Sequence, residues 1–540
     1  MQIGLIPSTK KYKVLHFLLL AFFLFGGIAI LSAQAINLKA KKMKSIMING
    51  NKGQLLTGNV QFEQKGSKVF CDQAEYDPIN QVLVGTGNVR IINPEGAIVT
   101  GQRLNFSSES NLAIVSGDVL LKDNTLSIKA PVLTYQTESK IGSYNQGANI
   151  QDEDTYLRSR YGIYNPNKKE LYFRKDVVLQ TPDYTIQTDT LKYQSDIKKA
   201  SFYTYTQINT EEEQIIFNKG YYFTAEKRGF FSDSFAYASK GRLMVADSAF
   251  AENEKSGKAF GHVWFYDSTE SWQMWGNRAF YKGNLGETWV YGNVLAIQAD
   301  ESDSLFVLCD SLQNNKDTVT NIQELTAYSN VSLMQKNAAA TADIMHYSDL
   351  DSQFRLIGKP VLWDSATRMS GDSIRLKIKN KKLKEGSLFP KAIIIIKEDS
   401  AHFSQIQGDS IHYYLDSQQK ITSSRVFRNG ESIYYIREGD TLQSVFKTKC
   451  SDMYFGFANN KINKAVFYKE NKGKLYPLAD FPEGEMKLDR WIWDYEKKPK
   501  RQFFSSPFIQ LIPITRYNSI PNLPKAKPKK WYQFWNGNFN

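Results

Sequence analysis

The stretch Gln54–Ile92, QLLTGNVQFEQKGSKVFCDQAEYDPINQVLVGTGNVRII, decides how the chain is read, because its second half begins to repeat its first. A Gly-Asn-Val step at Gly58–Val60 recurs at Gly87–Val89 and again as Gly117-Asp118-Val119. Between these steps lies a second phrase, a small residue followed by an aromatic: Cys71 to Tyr76, Gly101 to Phe106, Ala130 to Tyr135, Ser159 to Tyr164, Thr188 to Tyr193. The aromatics are spaced by 30, 29, 29 and 29 residues. So steady a period marks a repeat architecture, in which each unit buries its apolar face against its neighbours.

Within each unit the apolar residues alternate. Val60 and Phe62 flank Gln61, Ala74 and Tyr76 flank Glu75, and Leu191 and Tyr193 flank Lys192. Period two is the signature of a half-buried strand. Turn chemistry follows each aromatic, as in Asp77-Pro78-Ile79-Asn80 and Asn165-Pro166-Asn167-Lys168, and closes the opposite ends at Asn93–Gly96 and Thr181–Asp183. Two strands per repeat follow, each carrying a small residue near its middle, where a sheet can bend sharply. The expected fold is therefore all-β: an elongated repeat in which every strand folds over, giving two facing antiparallel sheets with the alternating apolar side chains between them. By position in the repeat, the inward residues are Val60, Phe62, Tyr76, Val89, Ile91, Leu104, Phe106, Val119, Leu121, Tyr135 and Tyr193. A closed sandwich needs the same residues for its core as a ligand groove needs for its lining.

The rest of the chain divides around this repeat. Residues 1–35 read as a secretory signal: Lys10, Lys11 and Lys13 precede the apolar run Val14–Leu31, and Ala33-Gln34-Ala35 supplies the small residues of a cleavage site. The alternative is an uncleaved anchor over 14–31, since eighteen mostly apolar residues is about the least that spans a bilayer. Residues 36–200 hold the regular repeats, and 201–470 continue them with insertions, as in Ser232–Tyr237, Gly276–Tyr281, Ala342–Tyr347, Gly408–Tyr413 and Cys450–Phe455. Residues 471–540 form a Pro- and Trp-rich basic tail, read either as a solvated segment that loses order beyond about 480 or as a docking segment. Lys and Arg exceed Asp and Glu by 11 over residues 420–540 and by 7 over 1–44, so a net charge of +13 leaves the middle slightly acidic at −5.

Chemistry-bearing motifs are missing from the sequence. No G-x-S-x-G elbow, P-loop, dinucleotide-binding glycine pattern or H-E-x-x-H occurs. The His residues His262, His346, His402 and His412 fall in strand-like contexts, and no Cys or carboxylate spacing makes a metal site of His402 and His412. Asp-Ser pairs beginning at Asp233, Asp247, Asp310, Asp372 and Asp409 sit at the small-residue position of the repeat, which assigns them a bend role rather than acid–base work. Cys71, Cys309 and Cys450 occupy that slot too, far apart along the stack, and are expected as buried free thiols. The expectation is a non-enzymatic protein with no cofactor, no metal and no nucleic-acid partner.

The signal-like N-terminus, the G-(N/D)-V steps and the small-x-x-(A/L)-x-(Y/F) phrases at this period together resemble the OstA/LptA family of lipopolysaccharide-transport proteins, which includes LptA, LptC and the periplasmic part of LptD. The resemblance is strongest over 45–200 and thins by 455. It implies a slightly twisted β-jelly-roll open along one side, a periplasmic location, lipopolysaccharide acyl chains sliding between the sheets, and edge-strand addition to LptC-like and LptD-like components or to a second copy. This chain departs from the family in being far longer than an ordinary LptA, and its last sixty residues are not expected to supply the many-stranded barrel of LptD. Two other readings compete: a structural β-solenoid scaffold of the envelope with a filled core, and a carbohydrate-active solenoid enzyme, which requires carboxylates clustered on one exposed face.

Overall fold

A computed structural model describes residues 37–500, apart from short stretches at 65, 95, 124–125, 240, 254, 269–270, 299–303, 318, 380–381, 419 and 459–460. The signal reading at 1–35, with its cleavage point after Ala35, lies outside the described residues. Nearly all the rest is antiparallel strand, joined by turns. The chain separates into two compact units: one of residues 37–240 with 247–257, the other of 241–246 with 258–500.

In the first unit the long strands Asn51–Gln64, Ser67–Asp77, Val82–Ile92, Ile98–Ser107, Leu112–Asp123 and Leu126–Gln136 pair successively. Each pairing breaks register once, between Thr57 and Val60, Thr86 and Val89, or Ser116 and Val119, where the G-(N/D)-V steps fall. Both residues of each step are left-handed: Gly58 and Asn59 have φ of 79° and 46°, Gly117 and Asp118 have 82° and 48°. Two successive left-handed residues force a bulge and a sharp bend, so the step is the corner where a strand leaves one sheet and enters the other. Further along, the corner deepens until a strand is cut in two. Leu126–Gln136 pairs with Ile141–Tyr144 through one half and with Ala148–Asp152 through the other.

The second unit repeats this plan. One sheet runs through Gln353–Ile357, Ser373–Lys379, Lys382–Phe389, Ser410–Leu415, Ile421–Phe427, Asp452–Ala458 and Lys461–Tyr468. Its companion runs through Val361–Trp363, Thr367–Ser370, Ala392–Lys397, Phe403–Gly408, Gly430–Glu438, Thr441–Cys450 and Lys472–Pro477. Met369, Ile394 and Ile406 from the companion share one buried apolar cluster with Ile374, Leu388, Ile411 and Met453 from the first sheet, which places the two sheets face to face. Each unit is thus a β-jelly-roll stack of folded-over hairpins. Among the described residues no helix is long and apolar enough to cross a membrane.

Residues 478–500 differ from the tail expected beyond about 480. They form a strap with three single-turn helices, Leu478–Asp480, Glu483–Glu485 and Tyr495–Lys497. Phe481 and Leu488 are buried against Ile433, Tyr435 and Val445, on the sheet face turned away from the interior. Trp491 and Trp493 both lie with ring centroids 4.9 Å from that of Phe403. Proline content made the segment look unstructured, but four large apolar anchors at intervals hold it down by area burial, together with hydrogen bonds to Gln405 and an ion pair between Asp494 and Arg368.

Candidate functional site

The interior of the first unit is built from three rows of paired side chains. One row joins the phrase aromatics: Tyr76, Leu83, Phe106, Ala113, Tyr135, Gly142, Tyr164, Leu171, Tyr193, Ala200, Tyr222 and Gly229 lie opposite one another in turn. From Phe106 onward each ring faces a small residue on at least one side, so the row fills without overpacking. A second row on the other sheet is almost wholly aliphatic: Phe62, Val69, Ile91, Val99, Leu121, Ile128, Ile150, Leu157, Leu179, Ile186, Ile208 and Ile215. The third lies at the corner. There Val60, Val89, Val119 and Val177 stand opposite Cys71, Gly101, Ala130 and Thr188, which explains the small residue of the phrase: the bend brings a valine onto it.

Of the inward residues expected from sequence, Val60, Phe62, Val89, Ile91, Leu104, Val119, Leu121, Tyr135 and Tyr193 are buried. Tyr76 and Phe106 are half-buried. Tyr222 was missed, although it follows Tyr193 by a further 29 residues. The aliphatic row beyond Leu121 was missed as well: in Thr155–Ser159 the buried positions are Thr155, Leu157 and Ser159 while Tyr156 is exposed, so the sequence itself shows no alternation there.

No charged side chain stands in these rows, and burial in the interior of either unit favours the neutral form of the thiols and phenols it encloses. Burial pushes the Cys71 thiol up to about 11 and the Cys309 thiol up to about 12, and raises that of Cys450. All three cysteines are free and buried, as the repeat slot implies. Burial likewise lifts the Tyr144 phenol to about 12, although its hydroxyl lies 2.6 Å from Ser159 Oγ.

Charges gather instead at the corners. Asn88 Nδ2 donates to Asp72 Oδ2 at 2.8 Å, Asn330 to Asp310 at 2.8 Å and Asn429 to Asp409 at 3.0 Å. Asp233 pairs with Lys219 at 2.8 Å and Asp372 with Lys391 at 3.4 Å. The carboxylate of one corner thus anchors a polar residue of a neighbouring one, so the Asp-Ser pairs do structural work at bends. His402 corrects the sequence reading: it closes the turn after Lys397, with Nδ1 2.8 Å from Asp399 Oδ2, while His412 packs on Phe427. Among the described residues no group of three His, Cys, Asp or Glu side chains could hold a metal ion.

The terminal strands complete the geometry. Among the described residues Lys42–Ile48 pairs on one side only, and its Met43 and Met47 are exposed. Lys461–Tyr468 and Lys472–Pro477 also have one described neighbour each.

Folded-over hairpins around uncharged inward rows define a repeat β-jelly-roll with an apolar interior. Comparison with known families gives that class a name: residues 33–189 match the family described as OstA-like protein, and residues 273–382 match the LptA/(LptD N-terminal domain) LPS transport protein family. Each match spans less than half of the chain; the two matched segments are OstA/LptA-like, and domains of this kind indicate a periplasmic lipopolysaccharide-transport role in general. Among solved structures the chain is similar to LptH, the LptA homologous periplasmic component from Pseudomonas aeruginosa, at 15% identity, 26% coverage of this chain, 93% of that one and a TM-score of 0.20. It also aligns with the WD40 domain of SCAP from fission yeast, at 10% identity, coverage of 67% and 92%, and a TM-score of 0.10. No curated protein matches the chain.

Proposed function

We propose that the protein is a non-enzymatic carrier whose inward rows receive the acyl chains of lipopolysaccharide between inner and outer membranes. The observation that carries this reading is the uncharged double row of aromatic and aliphatic side chains, which runs through successive strands of the first unit from Tyr76 to Gly229 and from Phe62 to Ile215. Acyl chains gain roughly 0.8 kcal/mol for each buried methylene, so a row repeated over many layers offers each chain a long path of nearly equal sites. The one-sided terminal strands suit edge addition to LptC-like and LptD-like components or to a second copy, because an unpaired edge presents free N–H and C=O groups. Export by residues 1–35, with the mature chain in the periplasm, belongs to the same proposal and is tested by N-terminal sequencing of protein taken from cells. The sequence divisions at 36–200, 201–470 and 471–540 remain part of it too, with the repeats carrying the lipid path.

A second reading has its own support. Nine of the eleven expected lining residues are buried by surrounding protein atoms, which is what a filled-core scaffold requires. Under the carrier reading the sheets must separate to admit a chain. Purification of the exported protein and mass spectrometry of the lipids that accompany it separates the two: lipopolysaccharide in stoichiometric amount supports the carrier, and lipid-free protein from lipopolysaccharide-replete cells supports the scaffold.

A further inference from the structure

We propose that the outer face of the second unit's unstrapped sheet binds an extended polysaccharide whose sugars carry carboxylates. Leu325, Met345, Leu356, Ile374, Ile411 and Val426 of this sheet point into the buried interior cluster, so their strand neighbours point away from it. On that outer side Trp289 lies opposite Gln313, and the register continues through Thr326 and His346 to Arg355. It then joins Arg355 to Arg375, Ser387, His412 and Arg425. The two ends of this row supply different chemistry.

At one end stand two arginines free to bind an anion. Arg375 lies over the Phe389 ring at 4.4 Å and Arg425 over the Phe427 ring at 5.3 Å, and both are exposed. A guanidinium resting on a ring is held in place while its N–H donors stay available. The carboxylates around them are engaged elsewhere: Asp372 with Lys391, Glu385 with Lys377, Asp409 with Arg428, and Asp452 accepts from Ser451 Oγ at 2.7 Å. Three strand spacings, about 14 Å, separate Arg375 from Arg425. Cations set singly and apart suit singly charged carboxylates spread along a chain, whereas a phosphate monoester of charge about −1.5 to −2 calls for cations that converge.

At the other end is an aromatic cluster with fixed polar groups. Trp289 stacks with Tyr291 and Tyr328, at centroid distances of 5.3 and 5.7 Å and interplanar angles of 10° and 17°, and all three rings are half-exposed. Trp289 Nε1 donates to Glu287 Oε1 at 2.6 Å, Gln313 Nε2 to the same oxygen at 3.2 Å, and the Tyr328 hydroxyl to Gln313 Oε1 at 3.0 Å. The electron-rich face of a ring attracts the C–H side of a sugar, and the amide and carboxylate beside it suit the hydroxyls. Between the ends Ile357, 43% exposed, adds apolar surface. Five strand spacings, about 24 Å, separate Trp289 from Arg375, so the ligand that meets both ends is a polymer. An acidic peptide is the poorer fit, because an extended peptide pairs with a sheet edge and this row lies on a sheet face.

The test is calorimetric titration of the full chain with oligogalacturonate long enough to span the row. R375Q with R425Q should weaken binding about tenfold. R90Q with R103Q removes the same charge from two exposed arginines of the first unit and should change it less than about twofold. W289A should weaken oligogalacturonate severalfold while leaving the weaker binding of polyglutamate unchanged. Equal losses in the two double variants, equal affinity for polyglutamate, no binding of oligogalacturonate, or preference for phosphatidylglycerol vesicles would overturn the proposal.

Discussion

Replacing Asp494 by asparagine removes the charge opposite Arg368 while keeping the shape of the contact. The Arg368 side chain is 4% exposed, its Nε lies 2.6 Å from Asp494 Oδ1, and its other bond is from Nη1 to Ser370 Oγ at 2.9 Å. A guanidinium left buried without its counter-charge costs about 3–5 kcal/mol. The protein has a cheaper escape than global unfolding. If residues 489–500 lift away, Arg368 is rehydrated at the loss of the Trp491 and Trp493 contacts with Phe403, whereas Phe481 and Leu488, each worth about 1.5–3 kcal/mol of burial, still hold residues 478–488. Hydrogen exchange followed by mass spectrometry should therefore show faster exchange in 489–500 by roughly a hundredfold, the equivalent of about 3 kcal/mol. Peptides from 478–488 and from the strands beneath should keep their protection. Unchanged exchange in 489–500 would mean the ion pair holds nothing, and loss of protection across the whole unit would refute the local character of the strap.

Other perturbations test the interior. Gly386→Ala places a Cβ 2.1 Å from Cζ of the buried Tyr413 ring, and this overpacking should cost about 1–3 kcal/mol in urea unfolding of the second unit. Tyr222→Ala removes a buried ring from the aromatic row and should cost about 3–5 kcal/mol, as expected of a sixth member of that row and not of a surface tyrosine. Native protein at pH 8 should leave Cys71, Cys309 and Cys450 unmodified by iodoacetamide, with all three reacting after denaturation. Because the folded state holds the Cys71 and Cys309 protons to about 11 and about 12, against 9.0 for an ordinary thiol, their contribution to stability is constant below pH 9. It falls as pH rises from 9 through these values, and the unfolding midpoint of a Cys71→Ala, Cys309→Ala variant should fall less steeply over that range.

The fold was legible because one local rule recurs: a left-handed pair at each corner and a small residue opposite it. Where the pair was Gly-Asn or Gly-Asp the corner could be read directly, since these residues accept positive φ at least cost. Corners made by Lys175 and Asp176, with φ of 60° and 54°, or by Arg428 and Asn429, with 57° and 55°, left little mark, because there the stacked neighbours and not the local preference impose the conformation. The inward rows were legible only as far as alternation survived. Short strands such as Ala392–Lys397, buried on both faces by the strap and the interior together, carry a continuous apolar run that hides which side is which. The strap was illegible for a different reason: its anchors are scattered, and their partners Gln405 and Arg368 are distant polar residues whose burial depends wholly on the tertiary arrangement.

The carrier reading is tested most directly by photo-crosslinking in living cells at facing and non-facing positions of the same strands. Phe62 and Tyr135 point inward and are buried, whereas Gln61 and Thr134, one residue away, point to the other side. A photo-reactive residue at Phe62 or Tyr135 should capture lipopolysaccharide, and at Gln61 or Thr134 should not. Equal capture at both pairs, or no capture at Phe62 and Tyr135 in a variant that folds and accumulates, would contradict passage of acyl chains between the sheets.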